Sequence, residues 1–166
     1  VENYNHKSKY SLPIKPSPNL PNDKAINLYP SLCFFEGTYL SIGRGTDMQF
    51  QVIGAPYLSF HSFTFTPQPN EGAKHPKHEG KLCTGINLEK TEYLNEVNLE
   101  WLIQFYETSK QTPDQQFFNS FFTKLAGTEK LQKQIESGKT VQQIKATWKD
   151  GLNNFKRMRS KYLIYN

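Results

Sequence analysis

A change of hydrophobic pattern near residue 98 is the feature that most restricts the fold of this chain. Before that point, short runs rich in β-branched and aromatic residues alternate with glycine and proline, which is typical of strands joined by tight turns. After it, apolar residues recur at three- and four-residue steps, which predicts amphipathic helices. Strands first and helices afterwards indicate an α+β fold. We predict a small mixed or antiparallel sheet in the first half, packed by several helices in the second half.

Four strands and one long loop are predicted in the first half. The strands occupy residues 39–42, 50–53, 62–66 and 82–88. The polar stretch Pro67–Lys81 contains three Lys, two His, two Gly and three Pro. Because loops of this length are commonly functional or disordered, we expect an exposed basic loop at the surface.

Helices are predicted at both ends of the sheet region. The first begins at a cap formed by Asn22 or Asp23 and runs through Leu28, and Pro30 restarts or kinks it. Others follow residue 98 or cover residues 117–125 and 128–138, and Gly127 and Gly138 end the last two.

The last predicted helix has the clearest signals. Residues 140–143 (TVQQ) match the capping box, in which Ser or Thr is followed three positions later by Glu or Gln. One continuous apolar stripe follows: Val141, Ile144, Trp148, Leu152, Phe155, Met158 and Tyr162. Four of its members are expected to be buried and to close the core: Ile144, Trp148, Leu152 and Phe155.

The domain organisation follows from composition and length. Four prolines fall between residues 13 and 21, which forbids a helix there and favours an extended path. We divide the chain into an extended, proline-rich segment over 1–21 and a single α+β domain over 22–166. The sequence opens on Val1 without a start methionine or signal pattern, so we expect a piece of a longer protein.

Charge and hydropathy limit the kinds of binding partner that are expected for this chain. No apolar run approaches the roughly 20 residues that a membrane helix needs, so no membrane span is expected. The net charge of +5 fits either simple solubility or an anionic partner. Basic residues on the last helix are typical of a solvated face, and no aromatic side chain interleaves with them, so nucleic acid is not expected as a partner.

The two cysteines leave the redox setting open. Cys33 and Cys83 are consistent with one disulfide in a secreted protein or with two thiols in a reducing compartment. Cys33 lies in an apolar run, which favours an inert thiol over a nucleophile.

Residues 36–47 are the densest candidate for chemistry, because glycines there bring charged side chains close to an open backbone. The planar guanidinium of Arg44 suits a carboxylate or phosphate. Alternatively, Arg44 pairs with Glu36 or Asp47 and holds two turns together. Neither a dinucleotide fingerprint nor a phosphate loop is present, and the proline-broken segment 75–79 is a poor metal site. We therefore expect no cofactor and no metal.

Several ordered motifs resemble the NamZ-type exo-β-N-acetylmuramidases. They are KPSPNLP at 15–21, YPSLCFFEGT at 29–38, SxGRGTD at 41–47, FQVIGAP at 50–56, and RxxYLIY at 159–165. Members of that family are about twice as long, with a Rossmann-like domain before a smaller auxiliary domain. The resemblance implies that this chain is the carboxy-terminal domain of a bacterial two-domain hydrolase.

The resemblance also implies a function. The family's glycosidases release N-acetylmuramic acid from the non-reducing end of peptidoglycan fragments, in cell-wall muropeptide recycling. Their active site is expected between the domains, with the principal catalytic glutamate on the preceding domain. Implied partners are muramyl sugars and that Rossmann-like domain, and the implied location is extracytoplasmic, either periplasmic or secreted. The alternative is a non-catalytic module that binds glycan or protein.

Site residues are implied position by position. Four residues match the family's motif and are implied to bind substrate: Glu36, Arg44, Thr46 and Asp47. Of these, Glu36 is the candidate catalytic residue. Arg44 is a reasonable reader of the lactyl carboxylate of muramic acid. Tyr39 or Tyr57 are candidates for stacking on a sugar ring.

Overall fold

A computed structural model describes residues 8–56, 58, 62–111 and 116–164 of the chain. It confirms the α+β class, with a small antiparallel sheet followed by most of the helices. The strands are β1 (Val52–Ala55), β2 (Phe63–Phe65) and β3 (Cys83–Asn87). The helices are α1 (Asp23–Leu32), α2 (Glu100–Ser109), α3 (Phe122–Ala126), α4 (Lys130–Glu136), α5 (Val141–Ala146) and α6 (Lys149–Arg159). Short 3₁₀ helices cover Cys33–Gly37 and Ser160–Tyr162.

The sheet has the order β1-β3-β2, and both pairings are antiparallel. In the β1–β3 register, Gly54 lies opposite Gly85. A Cβ on Gly85 would lie 1.9 Å from the Ile53 carbonyl oxygen, so this pairing requires glycine at that position. The central strand is therefore fixed by backbone contact as well as by its side chains.

The predicted strand over 39–42 is wrong. Ser41 exchanges hydrogen bonds with Gly54 at 2.8 and 2.9 Å, but this is an isolated bridge. Two residues before it, where the next pair of ladder bonds would form, the Tyr39 N–H donates to the Phe117 carbonyl at 3.2 Å and the Tyr39 carbonyl is bonded by the His78 ring at 2.7 Å. The ladder does not extend because these contacts with distant residues occupy the Tyr39 backbone groups that it would use.

Helix α1 has the predicted cap but a different end. Asn22 Oδ1 accepts a hydrogen bond from the Ala25 N–H at 2.9 Å, which confirms the cap. The helix continues through Pro30 to Leu32 and runs directly into the 3₁₀ helix, so the predicted end at Leu28 and restart at Pro30 are wrong. Leu28 and Leu32 are fully buried one turn apart, and their packing outweighs the local cost of proline.

The last predicted helix is correct at its start and wrong over its second half. Thr140 and Gln143 form both hydrogen bonds of the capping box. The helix then ends near Thr147, whose hydroxyl donates to the Ile144 carbonyl at 2.7 Å, and α6 begins anew.

The apolar stripe is buried or partly buried before the break at Thr147 and largely exposed after it. Ile144 is fully buried, as predicted, whereas Trp148 is only partly buried against the core. Leu152 and Phe155 are instead 49% and 51% exposed, so their predicted burial is wrong. The stripe thus leaves the core where α5 ends and α6 begins.

The main core surrounds the 3₁₀ helix Cys33–Gly37. Phe35 meets Phe105 of α2 edge to face at 6.0 Å. A Cβ on Gly37 would lie 2.5 Å from the Cα atom of Phe122, so the 3₁₀ helix touches the α3 backbone directly. This packing fixes the segment that carries Glu36 in place.

Both cysteines are free thiols. Burial raises the pKa of Cys83 to about 11 and also raises the pKa of Cys33. Since the thiolate is the reactive form, we expect both groups to react slowly with an aromatic disulfide reagent at neutral pH in the native protein. Both should react rapidly in denaturant, which serves as the control. Rapid labelling of native Cys83 would contradict this expectation.

Candidate functional site

A cleft of about 490 Å³ lies beside the 3₁₀ helix, within the volume range of small-molecule sites. Three segments form its walls: residues 36–44, residues 72–77 of the long loop, and the turn before α3. Its lining side chains include Glu36, Arg44, Lys74, His75, Lys77 and Phe121. None of the described helices is both long and apolar enough to cross a bilayer.

An ion pair between Glu36 and Arg44 forms one wall. The Arg44 Nη1 group donates to Glu36 Oε1 at 2.9 Å, and Nη2 donates to the Gly72 carbonyl at 3.3 Å. Gly43 and Gly45 flank Arg44 with φ angles of 78° and 85°, which glycine adopts without strain. The Arg44–Glu36 pairing considered from sequence is thus confirmed, and part of the guanidinium remains exposed to solvent.

Thr46 and Asp47 lie outside the cleft lining. The Thr46 hydroxyl donates to the Gly43 carbonyl at 2.7 Å and accepts from the Met48 N–H at 2.9 Å, which closes the turn around Arg44. Asp47 is exposed and makes no hydrogen bond or ion pair with the described residues. The structure therefore brings Glu36 and Arg44 together in the cleft and gives Thr46 a part in shaping the turn.

The long loop lies at the surface, as predicted, but it is also anchored over the segment that precedes Arg44. Pro67, Ala73 and Pro76 are buried. The loop encloses one side of the cleft because its backbone turns back against residues 35–45.

Lys77 is the main anchor of this loop. Its Nζ donates to the carbonyl groups of Phe35 at 3.4 Å, Leu40 at 2.9 Å, and Thr38. The neighbouring His78 ring bonds the Tyr39 carbonyl through Nε2 at 2.7 Å. Burial lowers the pKa of Lys77 to about 8 and also lowers the pKa of His78. At neutral pH, Lys77 is still charged and capable of all three hydrogen bonds.

Basic side chains outnumber acidic ones in the cleft. Among its described lining residues, Arg44, Lys74 and Lys77 are basic and only Glu36 is acidic. Within the described part of the chain, no three His, Cys, Asp or Glu side chains are grouped as metal ligands would be. Fixed cations around a small cleft suit a ligand that carries a carboxylate or another anion.

An aromatic side chain at the cleft was missed from sequence. Phe121 is about half exposed and lines the cleft, although its pattern placed it on the apolar side of a helix. The Phe121 N–H bonds Asn119 Oδ1 at 2.9 Å, and α3 begins only after this turn. Asn119 is a residue type that favours turns, so the sequence did contain a signal for this turn.

Neither of the two tyrosines predicted to stack on a sugar ring is among the described residues that line this cleft. Tyr39 packs edge to face on Phe117 at 5.7 Å, and Tyr57 lies outside the described residues.

Known proteins resemble this chain over nearly its whole length. A family model described as exo-β-N-acetylmuramidase NamZ, C-terminal, matches residues 27–165. The peptidoglycan β-N-acetylmuramidase NamZ of Bacillus subtilis (strain 168) is 30% identical over 92% of this chain, which corresponds to 40% of that protein. The chain thus spans less than half the length of this relative.

Two solved structures from Bacteroides fragilis NCTC 9343, both described as DUF1343 family proteins, share the fold. The first is 46% identical with a TM-score of 0.90, and the match covers 99% of this chain and 47% of that one. The second is 18% identical with a TM-score of 0.70, covers 92% of this chain and 45% of its own, and shows likeness of fold alone.

Proposed function

Because this chain belongs to the family of NamZ carboxy-terminal domains, we propose that it forms one wall of an active-site cleft in a two-domain glycoside hydrolase. The proposed reaction releases N-acetylmuramic acid from the non-reducing end of peptidoglycan fragments. In support, the Bacillus subtilis relative is named a peptidoglycan β-N-acetylmuramidase and the family model an exo-β-N-acetylmuramidase. The observation that carries the proposal is the basic cleft around the Glu36–Arg44 pair. The other wall is assigned to a preceding Rossmann-like domain.

The cleft chemistry matches the substrate class. Muramic acid carries a lactyl carboxylate, and the half-exposed guanidinium of Arg44 can bind it through paired N–H groups. Lys74 adds a second exposed cation that has no ion-pair partner among the described residues. Phe121 offers an exposed ring face beside these charges, which suits the apolar face of a sugar.

Glu36 is the candidate catalytic residue of this domain. Glycoside hydrolysis generally uses two carboxyl groups about 5–10 Å apart, and Glu36 is the carboxylate that the described lining residues provide. The hydrogen bond from Arg44 holds Glu36 Oε1 in the cleft, where the carboxylate can accept a hydrogen bond from a sugar hydroxyl or stabilise positive charge. We assign the proton-donating carboxyl group to the preceding domain.

The proposed setting is extracytoplasmic recycling of the cell wall. A periplasmic or secreted enzyme meets muropeptides where peptidoglycan is trimmed. The excess of basic residues suits such substrates, since muropeptides carry carboxylates.

The first test compares this chain with a full-length protein that contains it. The isolated chain is expected not to hydrolyse a muramyl-glucosamine substrate, because it supplies only one wall of the cleft. The full-length protein is expected to release N-acetylmuramic acid, measured by liquid chromatography and mass spectrometry. Release by the isolated chain would contradict the two-wall proposal. Binding without cleavage by the full-length protein would favour a non-catalytic glycan-binding module instead.

A further inference from the structure

Helix α6 presents an apolar face that no described part of the domain covers. None of its described residues is buried, and the four apolar side chains of this face are each about half exposed or more: Leu152 (49%), Phe155 (51%), Met158 (56%) and Tyr162 (78%). They recur at steps of three and four residues, so they lie along one side of the helix and its 3₁₀ extension. We call these four residues the α6 face. Leu163 and Ile164 continue the exposed apolar surface.

The helix lacks the local features that would stabilise it alone. Trp148 at its N-cap makes no capping hydrogen bond through its side chain, in contrast to the capping box of α5. Gly151 and Asn153 have low helix propensity. Eleven residues of this composition are marginal as a helix in water, so the segment needs tertiary packing of its apolar face.

The charges beside the α6 face restrict what can cover it. Five basic side chains lie on or just after the helix, against the single acid Asp150: Lys149, Lys156, Arg157, Arg159 and Lys161. None of the five forms a salt bridge within the described part of the chain. Two copies of this helix packed face to face would bring like charges together, which disfavours a second copy. The complementary surface has an apolar centre and an acidic rim.

Longer relatives carry further polypeptide beside a domain of this kind. The Bacteroides fragilis structure with a TM-score of 0.90 covers 99% of this chain but only 47% of its own. A helix in the position of α6 thus occurs in a protein about twice as long. A domain that precedes this one in the same polypeptide is held nearby at high effective concentration, which favours a moderately sized apolar contact.

We propose that the α6 face is a docking surface for the preceding domain of the full-length protein, and that the surface it meets is apolar with an acidic rim. This contact is separate from the cleft around Glu36 and Arg44, since no α6 residue lines that cleft. It would fix the orientation of the two domains from a second site. The proposal rests on the exposed stripe and the unpaired cations, and not on the assigned reaction.

The experiment is hydrogen–deuterium exchange on the full-length protein. Amide groups of residues 149–162 are expected to exchange at least about tenfold more slowly in the full-length protein than in the present chain. Phe155→Ser in the full-length protein should remove most of that protection. Leu82→Ser is the matched control, because Leu82 is equally apolar and exposed but lies before β3. Equal exchange in the two proteins would overturn the proposal.

Cross-linking identifies the occupant independently. A zero-length carbodiimide reagent should join Lys156 or Lys161 to carboxylates of the preceding domain, and mass spectrometry maps the linked peptides. Links between two copies of this domain would overturn the proposal in favour of a dimer. Protection of 149–162 that appears only with phosphatidylglycerol vesicles would overturn it in favour of a lipid surface. Because neither readout measures hydrolysis, failure here is distinguishable from failure of the proposed function.

Discussion

Replacing Phe122 by alanine is expected to lower the free energy of unfolding of this chain by about 3–5 kcal/mol. Phe122 is fully buried and its ring lies 4.3 Å from that of Phe118, centre to centre. Gly37 packs directly on its backbone, which leaves little room for the site to collapse around a smaller side chain. Chemical denaturation followed by circular dichroism measures the change, with an unchanged m-value as the sign that the two-state transition is retained.

Phe155→Ala is the matched control for this substitution. The same atoms are removed from a helix, but Phe155 is half exposed, so a loss of less than about 1 kcal/mol is expected in this chain. Equal losses for the two variants would show that α6 packs against the core in solution. That result would also restore the burial that the sequence pattern predicted for Phe155.

Local signals were read correctly from the sequence because their partners lie within a few residues. The capping box joins positions 140 and 143, and Gly127 and Gly138 end helices with positive φ angles of 67° and 75°. The Asn22 cap is local in the same sense. Each of these features depends on short-range geometry that composition and spacing encode directly.

The errors have long-range causes. A strand over 39–42 fits its residues, but the Tyr39 backbone is bonded instead by Phe117 and by the His78 side chain, which lies 39 positions away. A continuous helix to Tyr162 fits the apolar period, but the period does not show where the core ends. The stripe keeps its spacing after the break at Thr147, so periodicity alone cannot distinguish a face for the core from a face for another domain.

The candidate site also combines a contact that local sequence predicted with residues that only the fold brings together. The Glu36–Arg44 contact spans eight positions and was anticipated as one of two alternatives. Lys74 and Lys77 were not predicted as site residues, because they belong to a polar loop whose composition is typical of a solvent-exposed connection. Their place in the cleft depends on the loop folding back on residues 35–45, which no local pattern reports.

Arg44→Ala in the full-length protein is the second prediction with a large expected effect. If Arg44 binds the lactyl carboxylate, the substitution should lower kcat/KM for a muramyl substrate about ten- to a hundredfold, the range expected for loss of a charge-assisted hydrogen bond. An analogue that lacks the lactyl group never made this contact. Its kcat/KM should therefore change far less, and steady-state kinetics on the two substrates measures the difference.

The comparison between substrates separates recognition from stability. Arg44→Ala also leaves Glu36 without its ion pair and removes the hydrogen bond to the Gly72 carbonyl, so thermal melting is measured on the same sample. Lys81→Ala is the control, since Lys81 is an exposed cation of the long loop and lies outside the cleft lining. If Arg44 acts only by general attraction of the negatively charged substrate, both variants should have a lower kcat/KM, and the difference from the unmodified protein should shrink as salt is added. If kcat/KM falls equally for both substrates and the melting temperature also falls, Arg44 only holds the turns together. A guanidinium that does not contact the lactyl carboxylate has the same effect on a substrate with that group as on one without it.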